Sequence, residues 1–364
     1  MGQKSKTISL AGAIIAFSIG SGFATGQELM QFFASYGVWG CLGASLLAAV
    51  IFTWVCAVVL QDTERLRLRS TNSIWKYYCG DIFGGFLRYF TPVFLFFGLI
   101  IMTAGAGATL HEYYDLPNRY GRMLMVALML GTVALGRDRL TRVLGVAGTI
   151  LTCCALLIGL GSLILNAGQL AGADAVLATK HLTQAADSWW LSGLLYPGFM
   201  ALTLAPFLAG LGWECAGPLQ ARKSGFWGGF AYSIAGLVMS YALLASADIT
   251  AEADAPSLMI AKAISPFFGA LFSVLLVLGI YSTAVSMLWL TCNFIHPDES
   301  SRRFKWMAAL LSLVVYFCSA LPFKMILNIV YPYTGYIGLG ICACIFYTHY
   351  FKRRKYHPET GARL

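Results

Sequence analysis

The stretch Ser18-Ile19-Gly20-Ser21-Gly22-Phe23-Ala24-Thr25-Gly26 places three glycines in the middle of an apolar segment long enough to cross a bilayer, with Gln27 and Glu28 directly after it. A helix in hydrocarbon has to satisfy its own amides, so such a break survives only where protein or a water-filled cavity takes over the freed backbone groups. The motif therefore predicts an irregular, buried stretch that meets a ligand. At a rise of about 1.5 Å per residue, Gly22 stands roughly 20 Å along the helix from Thr7, near the middle of an apolar core about 30 Å thick.

The surrounding chain fits that setting. With 58% hydrophobic and 11% charged residues and a mean hydropathy of +0.71, it is far more apolar than a soluble domain, whose charged fraction is about 25%. Apolar windows fall near 7–35, 37–60, 86–112, 121–136, 143–166, 189–212, 226–247, 264–292, 304–321 and 325–349. This predicts an all-α polytopic membrane protein of about ten transmembrane helices. The fourth window is short and the eighth long enough to tilt. With the N-terminus inside, all of the 25 Lys and Arg residues except Arg119, Arg122, Lys180, Lys262 and Lys324 fall on the inner side. The positive-inside rule thus places both termini in the cytoplasm and the protein in the cytoplasmic membrane. The +9 charge is then a matter of topology and lipid headgroups, and no nucleic-acid partner is expected. The first span lacks a cleavage pattern and continues through the glycine break, so it is not expected to be a signal peptide. The 10 cysteines form no C-x-x-C pair and have no histidine at ligand spacing, which predicts neither a disulfide framework nor a metal cluster.

The organisation is doubled. A first five-span repeat covers 1–166, a polar linker 167–188 lies outside, a second five-span repeat covers 189–350, and 351–364 is a cytoplasmic tail. Five is odd, so the second repeat enters the membrane from the opposite side, the inverted arrangement of many secondary transporters. In that arrangement the sixth span is expected to be discontinuous like the first. It carries Pro197, Gly198 and Pro206, and each proline removes an amide donor and crowds the preceding turn.

The half-helix after the first break offers free amide N–H groups and a positive dipole end, which suit a carboxylate. Glycines at 20 and 22 let a ligand approach the backbone closely. An amino acid or related small zwitterion is the natural ligand class, held by Gly20, Ser21, Gly22, Phe23, Thr25, Gln27 and Glu28, with Tyr196, Phe199, Met200 and Thr203 lining the pocket from the sixth span. Carbonyls freed before the break suit a cation. Ser282, Thr283 and Ser286 of the eighth span share helical faces and can add hydroxyls beside the Gly279 carbonyl, although such hydroxyls also bond back to their own helix.

Glu28 is an ionisable group deep in an apolar stretch, a functional position by default. It can recognise a substrate ammonium, carry a proton, or close an outer gate with Lys324; its structural alternative is a cap on the first turn of the outer half-helix. His111, Glu112, Trp213 and Glu214 read as interfacial. Gly37, Gly40, Gly43, Gly225, Gly228 and Gly229 read as close helix-packing positions.

The segment from Gly20 to Glu28, continued by Leu29-Met30-Gln31-Phe32-Phe33, resembles the opening motif of the YkvI-like membrane proteins, which are grouped as amino-acid permeases in the amino acid, polyamine and organocation superfamily. The resemblance implies the leucine-transporter type fold, with spans one and six broken around the substrate and a sodium site between spans one and eight. It implies that Ser21, Gly22 and Phe23 hold the substrate carboxylate. Ile19, Gly279, Ser282 and Thr283 become ion ligands, with Gly22 and Ser286 as further oxygens. Some superfamily members replace sodium with a lysine in span five, but Val143 to Asn166 contains no Lys. Sodium is therefore the expected coupling ion, with proton coupling through Glu28 as the alternative, and no cofactor is expected. A ligand-sensing receptor on the same fold is a second class of function. An enzyme would need clustered catalytic groups, which five scattered histidines do not provide, and no channel filter is recognisable.

Overall fold

The computed structural model describes residues 3–68, 71–135, 137–180, 182–296, 298 and 301–352, and for Ser21 and most of residues 133–152 it describes the backbone alone. Arg69, His181 and the tail beyond residue 352 lie outside the described residues. The first span consists of α1 (Gln3–Ser18), α2 (Ser21–Thr25) and α3 (Gln27–Phe32). It is followed by α4 (Gly37–Leu66), the short α5 (Thr71–Cys79), α6 (Ile82–Tyr114), α7 (Asn118–Leu135), α8 (Arg137–Asn166) and the short α9 (Ala173–Ala178). Next come α10 (Trp189–Leu211), α11 (Pro218–Ala245), the short α12 (Ala247–Thr250) and α13 (Pro256–Ile264), then α14 (Pro266–Ile295), α15 (Arg302–Cys318) and α16 (Phe323–Tyr347). No strand occurs among the described residues.

Seven helical segments, in α4, α6, the end of α8, α10, α11, α14 and α16, are long and apolar enough to cross a membrane, and the chain is an integral membrane protein. The 16 residues of α1 and the 17 of α15 extend only about 24–26 Å, and α7 opens on Asn118, Arg119 and Arg122. The ten apolar windows of the sequence thus divide into seven segments that span by length and composition and three that are shorter or more polar. Helix starts follow local chemistry. Proline stands in the first turn of α11, α13 and α14, where its missing amide costs nothing. Ser301 caps α15 by accepting the Phe304 amide at 3.1 Å.

Glycines let the central helices touch backbone to backbone. On α11, a Cβ at Gly229 would stand 2.8 Å from the Thr53 Cα of α4; on α10, one at Gly198 would stand 2.6 Å from the Gly335 carbonyl and 2.9 Å from the Leu339 amide of α16. Gly193 of α10 meets the Ala44 carbonyl of α4 in the same way, at 2.8 Å. In a membrane, where lipid is as apolar as the helices, close van der Waals packing is what holds helices together.

These contacts explain a departure from the sequence expectation. α10 runs unbroken through Pro197 and Pro206, so the sixth span is not discontinuous. Each proline costs one amide donor, and neighbouring helices commonly make that loss tolerable in a membrane span. Here Gly193 and Gly198 clamp α10 between α4 and α16 on both sides of Pro197.

One face of the bundle carries the connection from α9 to α10 and the α12–α13 region; the other carries α5 and the end of α16. On the first face Tyr36 donates to the Ala186 carbonyl at 2.5 Å and accepts the Ala186 amide at 2.9 Å. Gln184 donates to the Ser35 carbonyl at 2.8 Å, and Lys180 pairs with Glu252 at 3.0 Å. On the opposite face Asp62 of α4 accepts from Tyr78 at 3.1 Å and meets His349 at 3.2 Å, joining α4, α5 and the end of α16.

Candidate functional site

The backbone leaves helical geometry twice within the glycine motif. α1 ends at Ser18, Gly20 is extended at φ −85° and ψ −172°, and Gly26 between α2 and α3 is left-handed at φ 82° and ψ −3°. Only glycine takes that last conformation without a steric penalty, and a side chain there would also press on the Ser257 amide at 3.1 Å. Ser257 of α13 donates to the Ala24 carbonyl at 2.5 Å, and Thr25 donates to the Gly22 carbonyl at 3.3 Å and accepts the Gln27 amide at 3.4 Å. α2 has five residues. The strong dipole expected of a long half-helix is therefore not present, and what remains for an anion is the set of first-turn amides of Ser21, Gly22 and Phe23.

Glu28 turns back over this break. It is 3% exposed, its Oε1 accepts the Tyr196 hydroxyl at 2.9 Å, and Tyr196 lies 2.7 Å from the hydroxyl of Tyr232 on α11. Its Oε2 rests on Gly22, where a Cβ would overlap the carboxyl and stand 3.1 Å from the Tyr331 ring. A glycine is needed here because the carboxyl and the α16 tyrosine fill the space. Glu28 stands in the first turn of α3, but its carboxyl is bonded to the Tyr196 hydroxyl on another helix. The gate pair with Lys324 is not made. Lys324 donates to the Glu252 carbonyl and lies 3.9 Å from Asp254, and one turn deeper Gln31 donates to the Asn328 carbonyl at 3.1 Å. Among the described residues no lysine, arginine or histidine forms an ion pair with Glu28.

A cavity of about 30 Å³ opens beside the break, lined by Ser18, Gly20 and Glu28, by Phe94, Gly98 and Met102 of α6, by Phe199, Met200 and Thr203 of α10, by Thr283 and Met287 of α14, and by Tyr331. Phe17, stacked on Phe207 at 4.1 Å, and Leu204 complete the wall. The side chains of four predicted residues, Phe23, Thr25, Gln27 and Tyr196, do not line this cavity, Tyr196 reaching it only through Glu28. Phe23 packs 4.9 Å from Tyr232 inside the helix bundle and Thr25 is engaged by its own backbone; the Ser21 side chain lies outside what the structure describes.

Next to the break, Thr283 donates to the Ile19 carbonyl at 3.3 Å and lies 3.4 Å from the Gly279 carbonyl. Three of the oxygens named for a cation are thus together. Ser286 instead bonds back to the Ser282 carbonyl at 3.0 Å, and the Gly22 carbonyl is taken by Thr25. The sequence reading missed Tyr232, Tyr331, Phe94, Met102 and Met287. An aromatic or thioether in an apolar helix has no signature beyond packing, and only a tyrosine hydroxyl, which needs a partner when buried, could have singled out the first two.

No family model matches the chain. It is similar to two proteins of Bacillus subtilis: the uncharacterized membrane protein YkvI, 23% identical over 348 residues, covering 94% of this chain and 96% of that protein, and the uncharacterized protein YyaD, 25% identical over 342 residues, covering 91% and 94%. The likeness first carried by the glycine motif therefore extends along nearly the whole chain. Among solved structures it is similar to MhsT in complex with L-phenylalanine, with a TM-score of 0.61, 16% identity and coverage of 94% of this chain and 88% of that one. It is also similar to inward-facing Mhp1, with a TM-score of 0.62, 15% identity and coverage of 96% and 78%, and to a manganese transporter of Eremococcus coleocola, with a TM-score of 0.56, 13% identity and coverage of 91% and 76%. The chain has the leucine-transporter type fold of these proteins.

Proposed function

We propose that this chain is a secondary transporter that moves an amino acid or a related small zwitterion by alternating access around the glycine break, coupled to sodium. The observation that carries the reading is Glu28, a buried carboxyl laid against Gly22 with tyrosine hydroxyls around it and no cationic partner among the described residues. A buried charge without a counter-charge is costly, and a solute ammonium at the cavity would supply one, while the solute carboxylate would take the first-turn amides of α2. The fold alone does not choose the solute, since its neighbours were solved with L-phenylalanine, with bromovinylhydantoin, or as a manganese transporter. The Ile19 and Gly279 carbonyls and the Thr283 hydroxyl are uncharged oxygens, which suit a monovalent cation better than a divalent one that recruits carboxylates. The basic residues orient the α9–α10 connection outward and the termini toward the cytoplasm, with the repeats at 1–166 and 189–350.

The same carboxyl favours a second reading, in which Glu28 is protonated and carries the coupling proton. Uptake that persists without sodium and follows an imposed pH gradient would select it. Solute recognition is tested by a thermal-stability screen of the purified protein against amino acids with and without sodium, because a ligand that binds the folded state raises apparent stability. The reading expects a hit whose effect grows with sodium and disappears in Glu28→Gln. A hit that stabilises Glu28→Gln as well as the unaltered protein sinks it.

A further inference from the structure

Charge recognition leaves one wall of the cavity unused, and that wall is made of thioethers and aromatic rings. Met102, Met200 and Met287 come from three different helices and are 1%, 4% and 4% exposed. Two of them end on glycines. A Cβ on Gly20 would stand 2.9 Å from the Met102 methyl, and a Cβ on Gly98 would stand 2.9 Å from the Met287 sulfur. Phe94 and Phe199 close the space between them.

We infer that the solute's side chain is large and apolar, that it is received by displacing these thioethers, and that Gly98 together with Met287 sets its upper size; the inference rests on the transport reading above. A cavity of about 30 Å³ holds a water or two, so a solute enters only if side chains move. Methionine is the residue best able to do so, being unbranched, flexible and polarizable. When Met102 and Met287 rotate away they leave an apolar volume bounded by Phe94 and Phe199 and floored by the two glycines. A polar side chain placed there would be desolvated without a partner. Of the cavity's own polar groups, Thr203 is bonded to the Phe199 carbonyl at 3.2 Å and Thr283, which turns its methyl toward Gly20, to the Ile19 carbonyl at 3.3 Å; Glu28 is engaged by Tyr196, and the Ser18 hydroxyl is the one lining group with a hydrogen bond still to make among the described residues.

The test is sodium-dependent uptake of individually radiolabelled L-alanine, L-leucine, L-methionine, L-phenylalanine, L-serine, L-aspartate and L-lysine by the full chain in proteoliposomes, repeated with Gly98→Ala and with Gly98→Ala combined with Met287→Ala. The unaltered protein is expected to take up leucine, methionine and phenylalanine in preference to serine, aspartate and lysine. Gly98→Ala is expected to weaken phenylalanine relative to alanine by about tenfold, the range set by a misplaced methyl in an apolar pocket, and the added Met287→Ala to restore it. Serine or lysine taken up as well as leucine overturns the inference while the transport reading stands. So does a Gly98→Ala protein that weakens alanine and phenylalanine equally. Uptake of no amino acid, with the protein shown folded, overturns the transport reading and this inference with it.

Discussion

At the scale of single residues, Glu28 carries most of the chemistry, and its burial sets up a conflict between stability and function. Glu28→Gln keeps an oxygen to accept the Tyr196 hydroxyl but removes a carboxyl that can ionise and has no cationic partner among the described residues. Without solute the variant is expected to melt at the same temperature as the unaltered protein or higher, because the amide cannot become an unpaired buried charge, which is costly, while the stabilisation by solute is lost. Differential scanning fluorimetry reads both. Thr283→Val keeps the shape of the side chain but deletes the hydroxyl beside the Ile19 carbonyl. It is expected to raise the sodium concentration for half-maximal uptake about tenfold, the equivalent of roughly 1.4 kcal/mol; an unchanged sodium dependence would remove Thr283 from the ion site. Glu28 was legible in the sequence because an acid stands out in an apolar stretch. Tyr196 was legible as a pocket residue, but its bond to Glu28 and the places of Tyr232 and Tyr331 were not, because these tyrosines meet the carboxyl only through the packing of α10, α11 and α16. Lys324 was misassigned because depth alone pairs it with Glu28, whereas the α12–α13 connection supplies nearer oxygens at Glu252 and Asp254.

At the scale of helices, the interruption of the first span was legible because closely spaced glycines cost a helix more than any neighbouring residue of that span does. The second interruption, at Gly26, shortens α2 to one turn and a half, so in the proposed function a side chain, Glu28, and not a helix dipole carries charge recognition. The sixth span was misread for a physical reason. Proline breaks a helix when the freed groups have nowhere to go, and the same Pro197-Gly198 dipeptide that suggested a break is the point where α10 meets the α16 backbone. Gly198→Val would drive a branched side chain into the Gly335 carbonyl and the Leu339 amide. An overpacked contact of this kind costs about 1–3 kcal/mol, and the variant is expected to lower the apparent melting temperature, whereas Gly85→Val, with open space around its Cβ, is not.

For the whole molecule, the face around the α9–α10 connection is held by bonds of the Tyr36 hydroxyl to Ala186 and of the Gln184 amide to Ser35 and by the lysines at 180 and 324, while Asp62, Tyr78 and His349 tie the opposite face. Exposed ion pairs are individually worth about 0–1 kcal/mol, so the two lysines support this face without locking it. Replacing both with methionine is expected to raise the labelling rate of Asn328→Cys by a membrane-impermeant thiol reagent about fivefold or less; no change would assign the support of this face to the Tyr36 and Gln184 bonds alone. The class of protein was legible from composition and the charge bias, but the contacts that tie the two faces were not, since they are made by connections with no hydropathy signature.

The central claim is that solute and ion share a site that is emptied to the far side, and concentrative uptake tests it most directly. In proteoliposomes with an inward sodium gradient, the amino acid that stabilises the purified protein is expected to accumulate inside above its outside concentration. The accumulation should collapse when the gradient is dissipated and be lost in Glu28→Gln. Saturable, Glu28-dependent binding with no accumulation under any imposed sodium or proton gradient would contradict it, and would make the chain a receptor built on a transporter's frame.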